Sequence, residues 1–430
     1  MPLKRLLPLV ALLSILAASC GLKSPTVNPK DVHAIESEAA LTVSPRPTAT
    51  ITTTPRFSPT PTPTATGSGD APKPVPAGDN IFDLPAGSTN LQLQSDGQGH
   101  DNLFVQSPAA GGTGGHFYAQ AQQNANGSWT KPAPISAAFE TLTGLTAVPD
   151  ASGRLCLFWS GSFIDASGSP AYGLFRNCQQ ANGAWTPMAA QVARSNTWAA
   201  FSAARAPDGS LQAVFATHAF TQTALFYSPI NGQITKALTG TQLSGNQQVL
   251  LGRLAIDSHG VYHAAWVEST GGDSFQIYSR ASTDGGHTWS APEQLFAGSA
   301  DNPASLGFYL LADPVGQVHL AWQAKSHIFY RRWSAASGWG DSVALVSDTL
   351  NNGLVLALTK DGLAQAIWDE FGGGGTKPVV RRVQSASGVW GAPQTVSPSG
   401  SSELALAVDA AGASHIAWHA GNSVRYLVLP

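Results

Sequence analysis

The chain has 430 residues, a formal net charge of −3 at pH 7 and only 11% charged residues, against about 25% in an average soluble protein. Hydrophobic residues reach 43%, enough for a sizeable core, while Gly and Pro together supply 73 positions and argue against a mainly helical fold. Lys and Arg (23) nearly balance Asp and Glu (26) with no basic stripe, which excludes an electrostatic nucleic-acid binder; a coiled coil and a multi-span membrane protein are excluded too.

At the N-terminus, Lys4 and Arg5 precede a mainly apolar run of eleven residues, Leu6 to Leu16. Eleven residues are too few to cross a hydrocarbon core of about 30 Å, so residues 1–19 read as a secretion signal. Ala17, Ala18 and Ser19 lead to Cys20 and resemble a bacterial lipobox, although Ala17 stands where Leu is commonest. The resemblance implies cleavage before Cys20, acylation of its thiol, and an extracytoplasmic protein anchored to a lipid bilayer. Residues 20–78 then form a polar segment in which the last 35 positions carry nine Pro and nine Thr. Such a composition buries too little to fold and favours polyproline II, giving a tether of up to roughly 100 Å.

From residue 79 to 430 the pattern changes to short apolar runs between Gly-rich turns. A polar turn, a Gly and a six-residue strand ending in an aromatic recur, as in Asp257 to Trp266 and Asp313 to Trp322. The anchor glycines are Gly99, Gly153, Gly209, Gly260, Gly316, Gly362 and Gly412, spaced by 54, 56, 51, 56, 46 and 50 residues. That period fits four strands with their turns, so the expected fold is an all-β, seven-bladed β-propeller of four-stranded blades. Two tryptophan registers follow the repeat, one at Trp159, Trp266, Trp322, Trp368 and Trp418 and one at Trp129, Trp185, Trp289, Trp339 and Trp390. Rings at fixed blade positions are expected to fill the space between neighbouring blades.

The seventh copy stops one strand short of a blade, and residues 80–85 resemble the outer strand of a complete one. They are expected to close the ring from the N-terminal side and leave no long free edge. Cys156 and Cys178 lie on the strands either side of the turn at residues 165–170. Facing each other across a hairpin in an exported protein, they are expected to form a disulfide.

The octapeptide from Ser282 to Trp289, with Asp284, Gly286 and Thr288, matches the pattern Ser-x-Asp-x-Gly-x-Thr-Trp. It resembles the Asp box, or bacterial neuraminidase repeat, of sialidase-like propellers; the resemblance covers residues 80–430 through the repeats and eight residues through the sharp motif. In that family the motif lies between the two outer strands, away from the active site, so it signals fold and not catalysis. The family's chemistry uses three arginines, an Asp acid/base and a Tyr nucleophile activated by a Glu. Its Phe/Tyr-Arg-Ile/Leu-Pro motif is absent, Arg176 being the nearest fragment, so no catalytic residue is carried over.

Acids and histidines expected in loops after the second strand of each blade include Asp165, His218, Glu268, His327, Asp369, Glu370 and His419. Two facing carboxylates among Asp165, Glu268, Asp369 and Glu370 would suit acid/base cleavage of a glycoside. The stretch from Glu268 to Asp273 offers oxygen ligands for Ca²⁺ but lacks a recognised spacing. His263, His319 and His415 share one repeat position, which reads as packing; no metal site or other cofactor is expected. The reading is a monomeric, lipid-anchored binding module for a glycan, a wall polymer or another exported protein. The alternatives are a glycoside hydrolase or lyase and a structural scaffold of an envelope complex.

Overall fold

The computed structural model describes residues 79–430, apart from 97–98, 110–114, 151, 165–167, 187–189, 196–197, 220–221, 231–239, 246, 348–350, 371–376, 399–402 and 430. The signal, Cys20 and the tether lie outside the described residues. Seven antiparallel sheets follow one another around a ring. Blade 4 shows the unit: inner strand Gln248–Ile256, second strand Tyr262–Gly271, third strand Ser274–Ser282 and outer strand Glu293–Ser299. Blades 1, 2, 3, 5, 6 and 7 begin with inner strands Thr89–Ser95, Thr141–Pro149, Trp198–Arg205, Phe308–Ala312, Asn351–Leu358 and Leu404–Val408. The second strands run to seven to ten residues, longer than the expected six, and the aromatic sits within the strand.

The turn from inner to second strand is built the same way in blade after blade. All seven anchor glycines have φ between 77° and 97°, a region that a side chain resists. The Asp that opens the turn accepts its backbone N–H groups: Asp257 Oδ1 takes those of His259 and Val261, both at 2.9 Å, and Asp313 Oδ1 takes those of Val315 and Gln317 at 3.0 and 2.7 Å. Its second oxygen meets the histidine six residues on, in the pairs Asp257–His263 (3.3 Å), Asp313–His319 (3.3 Å) and Asp409–His415 (3.1 Å). The three repeat histidines therefore brace turns.

Buried apolar residues form seven clusters, each straddling one blade boundary. The first tryptophan register is fully buried in them, facing the preceding blade; Trp322 packs with Val267, Phe275 and Ile277 of blade 4. In blade 1 the same position holds Val105. The second register lies in the turn between third and outer strands and also reaches the preceding blade. Trp289 meets Tyr227 at 5.2 Å, Trp390 meets Tyr330 at 4.9 Å and Trp129 meets Tyr426 at 5.1 Å. In the octapeptide turn, Asp284 accepts from Thr288 N (2.9 Å), Thr288 Oγ1 (2.6 Å) and Ser282 Oγ (2.8 Å). These donors, Thr288 foremost, hold its carboxyl down at about 2. A Cβ at Gly286 would lie 2.3 Å from the Tyr227 ring, so this turn too is packed onto its neighbour.

Strand Asp79–Asp83 is the outer strand of blade 7, pairing with Ser423–Leu429 and closing the ring as expected, with bounds slightly earlier than 80–85. Beyond that ladder, Leu84 is buried between blades 7 and 1. A second contact joins the same boundary. His415 on blade 7 lies between Asp409 (Nε2, 3.1 Å) and Asp101 of blade 1 (Nδ1, 2.5 Å), and the Tyr426 hydroxyl donates to Asp101 Oδ2 at 2.7 Å. Burial opposes the charge on His415, but the Asp101 and Asp409 carboxylates outweigh it and raise its pKa. Burial likewise opposes ionisation of Asp101, and the bonds from His415, Ser95 and Tyr426 prevail and lower it. In blade 2, Cys156 stands opposite Cys178 in the ladder and the two form a disulfide.

Two outcomes follow. Deleting residues 79–85 lowers the thermal midpoint by several degrees, because it uncovers the last blade's ladder and the cluster beneath it; a deletion that melts like the parent would overturn the closure. His415→Gln destabilises most at mildly acidic pH, where the imidazolium is charged and both carboxylates ionised. The difference from wild type shrinks as pH rises through the raised pKa of His415, and also as pH falls through the lowered pKa of Asp101. Midpoints recorded across pH check it.

Candidate functional site

The seven inner strands enclose a channel of about 580 Å³. They start at the end that carries the hairpins between second and third strands, here called the mouth, and finish at the Asp/Gly turns on the opposite face. In five blades the register of the inner strand shifts near the mouth, and Asn90, Gly144 and Gly353 take φ of 57° to 63° there. Counting back four residues from the turn position gives one wall residue per blade: Gln92, Thr146, Ser202, Arg253, Tyr309, Val355 and Ala405. Five consecutive blades thus present polar groups and two present apolar ones. The next position along is Leu or Ala in every blade. Arg253 and Glu403 are the charged residues of this lining.

The expected loop acids fall elsewhere. Asp165 lies outside the described residues. Glu268, Asp369 and Glu370 are not in loops but on second strands, because the ladders run further toward the mouth than expected; Glu268 is paired across from Gln276. His218 belongs to Leu211–Ala219, His419 to Ser414–Ala420, and His327 opens a third strand, stacked on Phe329 at 5.6 Å. Glu268 Oε1 accepts the indole N–H of Trp266 at 2.7 Å, and Glu370 Oε1 accepts that of Trp368 at 3.0 Å. Residues two apart on a strand share a face, so a Trp-x-Glu sequence delivers this bond locally. In blades 2, 5 and 7 the residue two after the tryptophan is Gly161, Ala324 or Ala420, and the indole N–H groups of Trp159, Trp322 and Trp418 have no acceptor among the described residues.

Glu268 is 5% exposed, and burial raises its carboxyl, the Trp266 bond offsetting part of that. Asp369 is fully buried beside Gly353. Glu268 Oε1 is engaged by Trp266 of its own blade, and no group of three or more His, Cys, Asp or Glu that could hold a metal ion occurs among the described residues.

The acid that does line the channel is Glu403. It stands immediately before the inner strand of blade 7, where its Oε2 accepts Leu91 N–H of blade 1 at 3.1 Å and lies 3.7 Å from His419 Nδ1. Burial lowers the pKa of His419, with Glu403 pulling the other way. Neither Glu403 nor Arg253 is singled out by a motif. The signal that finds them is their offset from the turn position, which becomes meaningful once the seven copies are laid in register.

No protein-family description and no curated protein matches the chain in sequence. Solved structures do match in fold. An ulvan lyase, a polysaccharide lyase bound to -[GlcA(1-4)Rha3S]-, superposes with a TM-score of 0.54 at 11% identity, over 81% of this chain and 95% of that one. A puromycin hydrolase gives 0.51 at 14% identity, over 79% and 52%. The NanB sialidase of Streptococcus pneumoniae gives 0.43 at 13% identity, over 82% and 70%. At such identities the likeness is one of fold, and the chain is a seven-bladed β-propeller.

Because Glu268 serves the buried indole of Trp266, Glu268→Ala should cost about 1–3 kcal/mol of stability. Glu268→Gln, which keeps an acceptor oxygen, should cost less. Denaturant unfolding followed by tryptophan fluorescence separates the two; equal and negligible costs would refute the assignment.

Proposed function

We propose that the protein is a saccharide-binding propeller, lipid-anchored through Cys20 on the outer side of a bacterial membrane, that takes its ligand at the mouth of the central channel. The observation that carries the reading is the channel wall. Amide, hydroxyl and guanidinium groups on five blades face Val355 and Ala405 on the other two, with a Leu or Ala row beneath. A sugar ring needs this mixture, hydrogen-bonding groups for its hydroxyls and apolar surface for its C–H faces. The ulvan lyase whose fold is similar acts on a polysaccharide, which agrees with the reading.

A catalytic reading rests on one specific feature, the Glu403–His419 pair at the mouth (3.7 Å). A carboxylate beside an imidazole supplies a base and its orienting partner for glycoside cleavage or elimination.

A glycan array followed by calorimetry tests the proposal. Saturable binding of oligosaccharides without turnover is expected, weakened by Thr146→Val, which alters a channel-lining hydroxyl. Turnover of a bound oligosaccharide that disappears in Glu403→Gln would replace binding by catalysis. Absence of any saccharide binding would overturn the reading.

A further inference from the structure

Arg253 is the one cation among the described residues that line the channel. Its counterparts in blades 1 and 3 each make one bond to the next blade's backbone: Gln92 Nε2 donates to Leu145 O at 2.7 Å, and Ser202 Oγ accepts from Leu254 N at 3.2 Å. Arg253 makes no such bridge. Its hydrogen bond goes from Nη1 to Gly252 O on its own strand at 2.9 Å, and among the described residues no carboxylate lies within ion-pair distance. The group it feels is Tyr309, the equivalent residue of blade 5, whose hydroxyl makes no hydrogen bond among the described residues. Burial depresses the guanidinium, Tyr309 offsets part of that, and among the described residues no carboxylate neutralises the charge. The adjoining Leu310 and Leu254 strengthen any charge interaction made there by lowering the local dielectric.

We propose that the channel binds the carboxylate of an acidic saccharide, with Arg253 as its counter-ion and the Tyr309 hydroxyl as a second donor. The proposal deepens the saccharide reading and rests on it. A guanidinium fork matches the two oxygens of a planar carboxylate, and the phenol beside it supplies one further donor to the same group. A sulfate ester carries the same charge with tetrahedral oxygens, and the experiment separates the two.

Calorimetry with wild-type protein, Arg253→Gln and Tyr309→Phe uses a galacturonate trimer, a neutral galactose trimer, sodium malonate and sodium sulfate as probes, at constant ionic strength. Wild type should prefer the galacturonate trimer to the neutral one. Arg253→Gln should abolish the preference, lowering acid affinity about ten- to hundred-fold, and Tyr309→Phe, which keeps the ring, should lower it less. The ligand-free melting midpoint of Arg253→Gln should match or exceed that of wild type, since an uncompensated charge is removed; a marked fall would assign Arg253 a purely structural role and overturn the proposal. Equal affinity for the acidic and neutral trimers would overturn it while leaving the saccharide reading intact. Arg253-dependent binding of malonate with no saccharide binding would do the reverse, keeping the anion site and refuting the sugar. Sulfate bound as tightly as malonate would refute the preference for carboxylate.

Discussion

A blade has two apolar faces and can bury both only if it has a neighbour on each side, so each of the seven clusters depends on the ring being closed. The boundary between blades 7 and 1 joins residues more than 300 positions apart, as in the bond from Leu91 N–H to Glu403. It carries the largest loop-closure entropy of the molecule. Three different interactions are concentrated there. A main-chain ladder from the N-terminal strand supplies the missing edge, the Trp129–Tyr426 ring contact fills the gap, and His415 links carboxylates of both blades.

The rest of the scaffold reuses a small set of local devices. One turn Asp satisfies backbone N–H groups with one oxygen and fixes a second-strand histidine with the other. One tryptophan fills a boundary, and a Glu two residues later relieves its buried N–H where present. Because these devices all point into the blades or the face opposite the mouth, they leave the channel wall open to vary independently of the fold. That freedom accounts for how Arg253 and Tyr309 occupy positions where blades 6 and 7 have Val355 and Ala405.

Blade number, ring closure and the packing role of the tryptophans were legible because each is enforced by backbone sterics or side-chain volume. A φ near 80° requires Gly at each anchor, and six of the seven boundaries take a large ring at the same strand position, blade 1 having Val105. Strand ends were less legible. The ladders extend past the aromatic by residues with no fixed chemistry, such as Ser269 to Gly271, so sequence alone reads Glu268 and Glu370 as loop acids. Their commitment to Trp266 and Trp368 was written in a two-residue spacing, yet that spacing means nothing until the residues are placed on a strand. The channel lining was the least legible part, since it is assembled from single residues on seven separated strands with no local motif.

The Cys156–Cys178 bridge joins two strands that are already neighbours in one sheet, and it encloses the hairpin between them. Its effect is therefore felt less in the ring than in how the molecule survives damage. A protease that cuts anywhere between those cysteines produces two polypeptides that remain covalently one, with the blade-2 ladder still holding the fragments in register. Such a nicked propeller keeps its seven blades, and the cut shows only when the bridge is reduced and the ladder is denatured.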